Sequence, residues 1–150
     1  MINLQVSETI TSPVAPEVVI KAAQFTLQTA AVLRIVGSVP EAELTIVLTD
    51  DEQLHQLNRQ FRGIDAPTDV LSFPSDFIDP DTSSPYLGDV LISVPQAMIQ
   101  AAEAGHSIAD EIRLLTVHGV LHLLGYDHAE EAEKARMWAV QDEILAHLAS

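Results

Sequence analysis

The sequence predicts an α+β protein of one domain, with a mixed four-stranded sheet packed with about five helices. Three observations predict it. Four short apolar segments, residues 2–6, 44–48, 70–73 and 88–94, have the length and patterning of strands. Between and after them lie stretches with helical apolar spacing and recognisable ends. At 150 residues, 47% of them hydrophobic, with no internal repeat, low-complexity tract or linker, the chain suits a single core.

Ile2-Asn3-Leu4-Gln5-Val6 alternates apolar and polar side chains and reads as the first strand. Pro16 and Glu17 suit a helix first turn, and Val19, Ala22, Ala23, Leu27, Ala30 and Ala31 supply an apolar face up to Gly37. Leu44 to Leu48 is the second strand. Thr49 or Asp50 then caps a short helix with Leu54, Leu57 and Phe61 on its buried side, closing near Gly63. Val70 to Phe73 makes a short third strand. Pro74 to Pro85, rich in Asp, Ser and Pro, is an irregular surface loop placed to flank an active site. Gly88 to Val94 is apolar enough for a strand covered on its faces, and Pro95 opens a helix that ends at Gly105. Ser107 caps the next helix, with Asp110 at the capping-box position and Glu111 adding negative charge at its N-terminus. A last helix runs from about Glu130 to Leu148.

The segment His118-Gly119-Val120-Leu121-His122-Leu123-Leu124-Gly125-Tyr126-Asp127-His128 carries the chemistry. His118 and His122 are four residues apart in a helical pattern, hence on one face, about 40° apart with roughly 6 Å of axial rise. Gly125 suits a left-handed residue at which the helix stops and the chain reverses, so that His128 swings back as a third ligand. Ile108, Ile112, Leu115 and His122 share one apolar stripe, which predicts that His122 is at least partly buried and needs a partner. Three protein ligands leave one tetrahedral position open to water, the arrangement of a catalytic zinc site. The expected cofactor is therefore one zinc ion, although nickel, copper and iron also accept imidazole. The competing reading is a helix end with histidines packed or solvated for structural reasons.

The rest of the composition bounds the answer. Cysteine is absent, so any metal rests on nitrogen and oxygen, and disulfides are excluded. No apolar run reaches the roughly 18 residues that span a bilayer, and no signal-like N-terminal pattern is present, so the expectation is a cytoplasmic protein without a membrane partner. The net charge of −15 is unusual for a nucleic-acid-binding protein, and only seven Lys and Arg are present. Three arginines, Arg34, Arg59 and Arg62, lie in the first half and leave room for a local cationic spot.

The spacing His-x3-His-x5-His is metzincin-like, with one departure. Metzincins place Glu directly after the first His as general base, and here that position is Gly119. A metallopeptidase lacks its proton acceptor in this chain. Gly119 costs the helix about 1 kcal/mol relative to Ala, which points to close approach of a strand or of substrate.

Together with Asn58 to Pro74 (NRQFRGIDAPTDVLSFP) and Leu87-Gly88-Asp89-Val90, the His118 to His128 block makes the chain resemble the YbeY family of bacterial rRNA maturation factors over essentially its full length. The resemblance implies a single-strand-specific, metal-dependent endoribonuclease of small-subunit (16S) rRNA 3′-end maturation and ribosome quality control. It implies zinc on His118, His122 and His128, and a functionally required arginine at Arg62. Single-stranded RNA, the small ribosomal subunit and its assembly factors are the implied partners, with no DNA expected. A non-catalytic ribosome assembly factor whose metal stabilises the fold is the alternative.

Within that reading, the guanidinium of Arg62 offers parallel donors to phosphate oxygens and stabilises the negative transition state. Its other reading is a cation ending a helix. Arg59, three residues earlier, shares nearly the same face and is the candidate contact to RNA backbone. Asp127 either accepts an N–H from a ligand imidazole or makes a turn. Asp69 and Asp89 read as strand-start caps, and Tyr126 as packing or a base-stacking ring. His55, His106 and His147 lack metal spacing and read as surface or helix-end residues.

Overall fold

The computed structural model describes residues 2–29, 42–75, 80, 85–126 and 130–149. Among them are four strands, β1 (Ile2–Val6), β2 (Glu43–Thr49), β3 (Val70–Pro74) and β4 (Tyr86–Ser93). Five helices accompany them: α1 (Pro16–Gln28), α2 (Asp51–Arg62), α3 (Val94–Ala104), α4 (Ile108–Leu123) and α5 (Glu131–Ala149). The strands form one mixed sheet of order β1-β2-β4-β3, with β1, β2 and β4 parallel and β3 antiparallel to β4 at an edge. This is the α+β arrangement that the strand and helix patterns predict. No described helix is long and apolar enough to cross a membrane.

The sheet is covered on both faces. On one, Leu44, Ile46 and Leu48 of β2 and Val90 and Ile92 of β4 pack against Val19 and Ala23 of α1, Ala97 of α3 and Ile112, Leu115 and Val120 of α4. On the other, Leu71 and Leu91 meet Leu54 of α2. Alternation along each strand divides these two sets. A further cluster of Ala22, Val117, Leu121, Met137 and Ile144 fastens α5 to the outer side of α1 and α4. Helix α4 is thus enclosed from several sides, and nine of its 16 residues are buried, as expected of a helix that is apolar around most of its circumference.

Local signals set the ends. Asp50 rather than Thr49 caps α2, accepting from the Gln53 N–H at 2.8 Å, and Gly63 closes that helix with φ 70°. Ser107 caps α4 by accepting from the Asp110 N–H at 3.1 Å. The expected capping box is not completed, because the Asp110 carboxylate is held by Arg113 at 2.9 Å. At the other end the Gly125 N–H donates to His122 O and the Tyr126 N–H to Leu121 O, with Gly125 at φ 95°, which is a Schellman closure. Helix α1 is shorter than its apolar face suggests. It ends at Gln28, where Thr29 turns extended and its hydroxyl donates to Phe25 O. Ala30, Ala31 and Gly37 lie outside the described residues, as do residues 76–79 and 81–84 of the Pro74 to Pro85 loop.

Candidate active site

His118 and His122 project from the last two turns of α4, both half-buried. Their Nε2 atoms face each other at 3.2 Å, with ring centroids 4.7 Å apart. Two bonds of 2.0–2.1 Å to one tetrahedral zinc hold nitrogens about 3.3 Å apart, so this pair fits two ligand positions with little movement. The Nδ1 atom of His118 is 2.9 Å from Oε1 of Gln141 on α5, a side chain only 1% exposed. An Nδ1–H donated to that oxygen leaves the His118 Nε2 lone pair for a metal. The ring of Trp138, one helical turn before Gln141, lies 5.9 Å from that of His118. His128 and Asp127 lie outside the described residues, and among the described residues no group of three His, Asp or Glu side chains is gathered for a metal.

The histidines open into a cleft of about 530 Å³. Its other walls are the edge strand β3, residues Thr68 and Asp69 before it, and Phe61 and Arg62 at the end of α2. Arg62 therefore shares one cavity with the imidazole pair although it arrives from the opposite face of the sheet. The turn after it is pinned back onto its own helix: Asn58, 3% exposed, donates from Nδ2 to Ala66 O at 2.9 Å, and His55 pairs with Asp65 at 2.7 Å. Neither Arg59 nor Arg62 forms an ion pair among the described residues.

Gly119 lets α4 lie directly on the sheet. A Cβ there would collide with Cγ1 of Val90 and press on Val70, and the Gly119 carbonyl accepts from Ser72 Oγ at 2.9 Å. The close approach expected from the helical glycine is to strands β3 and β4. A glutamate has no room at this position.

Several sequence expectations are revised. Phe61 is 61% exposed rather than buried, because the last turn of α2 reaches the sheet edge, where the ring meets Phe73 edge-on with centroids 5.5 Å apart. Leu54 and Asn58 form the buried line of that helix instead. Glu111 stands in the first turn of α4 as read, but it is buried there: it is 5% exposed, 3.5 Å from Nε2 of His106, and its burial pushes the carboxyl above its ordinary pKa. His106 follows Gly105 at the end of α3, a helix-end residue whose Nε2 is buried. Asp89 lies inside β4 rather than at its start, where its carboxylate accepts from the Tyr86 hydroxyl. Tyr126 packs beside Val117 and Leu121, which favours its packing role. His147 rests against Phe25, with centroids 5.6 Å apart.

Fold and site together define a class: a small α+β protein in which a helical imidazole pair and a guanidinium face one cleft over an edge strand. A family model described as Endoribonuclease YbeY matches residues 5–149. An Endoribonuclease YbeY of Chloroflexus aurantiacus is 51% identical over 126 residues, covering 79% of this chain and 82% of the relative. One of Dehalococcoides mccartyi is 44% identical over 139 residues, covering 84% and 87%. The solution structure of TM1509 from Thermotoga maritima superposes with a TM-score of 0.58 at 25% identity, covering 97% of this chain and 87% of that one. The chain belongs to the YbeY endoribonuclease family.

Proposed function

We propose that this protein is a zinc-dependent endoribonuclease that cuts single-stranded RNA, acting in the cytoplasm on the 3′ end of small-subunit rRNA and in ribosome quality control. The observation that carries the reading is the cleft that holds the facing Nε2 atoms of His118 and His122 together with the Arg62 side chain. His118, His122 and His128 hold the ion, within one catalytic domain spanning residues 1–150. Gln141 keeps His118 in the tautomer that presents Nε2. Zinc, when bound, supplies Lewis acidity at the scissile phosphate.

The remaining work falls to the chain's own side chains. Arg62 grips phosphate oxygens through paired N–H donors and offsets the charge that grows on them in the transition state. Arg59 contacts the RNA backbone, and Asp127 orients a ligand imidazole. The acidity of the chain favours a substrate presented by the small subunit and its assembly factors over unaided capture of free RNA.

The test is cleavage of a single-stranded RNA carrying the small-subunit rRNA 3′ end by zinc-loaded protein, beside chelated, His122→Ala and Arg62→Ala preparations. Cutting confined to the loaded wild type is expected. Zinc occupancy is read separately from the emission of Trp138, the sole tryptophan, which should respond to zinc in the wild type and lose that response in His118→Ala. A protein that binds zinc and raises its melting temperature with it, yet cuts neither free RNA nor small subunits, is an assembly factor with a structural metal.

A further inference from the structure

We infer that Phe61 is a stacking platform for one unpaired base of the RNA, positioned beside the phosphate that Arg62 holds; this rests on the endoribonuclease reading and names a residue that reads the substrate's single-stranded state. The ring is the most exposed of the large hydrophobic side chains among the described residues, at 61%, and it lines the same cleft as Arg62, His118 and His122. It is also held in place. Phe73 meets it at an interplanar angle of 72°, and an edge-to-face contact covers at most one face of the ring, so at least one face is left open.

Charge selects the occupant. The chain has a net charge of −15 and only seven Lys and Arg, yet Arg62, next to Phe61 in the chain, lines the same cleft, and it forms no ion pair among the described residues. An apolar ring beside a cation in one cleft matches a nucleotide, whose base stacks while its phosphate meets the guanidinium group. Every base has a π face, so such a platform is sequence-tolerant. It excludes a duplex, in which the base is already stacked and paired.

The experiment compares wild type, Phe61→Leu and Phe61→Trp with a short single-stranded RNA carrying one 2-aminopurine, moved along the oligonucleotide, in stopped-flow fluorescence. Cutting is followed in parallel. Expected are quenching at one position in the binding phase, loss of it in Phe61→Leu with binding weakened between about 5-fold and about 150-fold, and retention in Phe61→Trp. Melting temperatures of the variants verify that the fold is kept. Wild-type cutting with unchanged binding and quenching in Phe61→Leu overturns the platform and leaves the nuclease standing. Quenching that depends on Phe61 without any cutting supports the platform and removes the nuclease. No RNA binding at all, with casein hydrolysis lost in Phe61→Leu, hands the ring to a peptide side chain and overturns both.

Discussion

The Nδ1 atom of His118 and the Oε1 atom of Gln141 lie 2.9 Å apart, joining α4 to α5 at a point where Gln141 is buried. A buried amide is stabilised only by partners that use its hydrogen bonds, and this one fixes which nitrogen of His118 stays available. Gln141→Leu keeps the bulk and removes the acceptor. Zinc affinity, measured by competition with a chromophoric chelator, should fall about 10- to 100-fold. An unchanged affinity would remove Gln141 from the site.

Gly119 is the contact on which α4 meets the sheet, and Ala in its place must displace Val90. Overpacking costs about 1–3 kcal/mol, and the better helix propensity of Ala returns about 1. Gly119→Ala should therefore lower the urea midpoint. Combining it with Val90→Ala should give a double variant more stable than the sum of the single effects predicts, since the second change opens the space the first requires. Strict additivity would show that the two residues do not press on each other.

Glu111 supplies a pH dependence whose sign follows from burial. Its folded carboxyl binds a proton more tightly than the unfolded one, because desolvation outweighs the opposing pull of His106. The stability it contributes is complete below the ordinary value of 4.5 and is lost as pH rises through the higher folded value. Glu111→Gln should flatten the melting temperature against pH above 4.5 and raise it at pH 8 relative to wild type. A variant that melts lower by the same amount at every pH would mean that the ionised form is the stabilising one.

Arg59 is exposed on the last turn of α2. If it meets RNA backbone, Arg59→Ala weakens binding to all single-stranded sequences alike and reduces the slope of log K against log salt by about 0.7. Filter binding across a salt series measures this. An unaltered slope would place Arg59 outside the RNA path.

Much of the fold was legible because its signals are local. Asp50, Gly63, Gly105, Ser107 and Gly125 mark helix ends by backbone requirements that act within a few residues, and each does so in the structure. The misreadings concern side chains whose surroundings come from elsewhere in the chain. Phe61 has the spacing of a buried residue, but spacing reports only the angular position on a helix and not where the underlying sheet stops. Glu111 has the position of a helix-start charge, yet the helix is enclosed there. Asp110 has the capping-box place and is taken by Arg113.

The sequence by itself determined the order of strands and helices and the imidazole pair on one helical face. These follow from repeat distances along a single backbone. Only the tertiary structure decided that Arg62 faces that pair across a cleft, that Gln141 holds His118 from another helix, and that Gly119 rests on Val90. Such contacts depend on how the edge strand β3 and helices α2, α4 and α5 pack, and packing is set by the shape and burial of the whole core rather than by any segment.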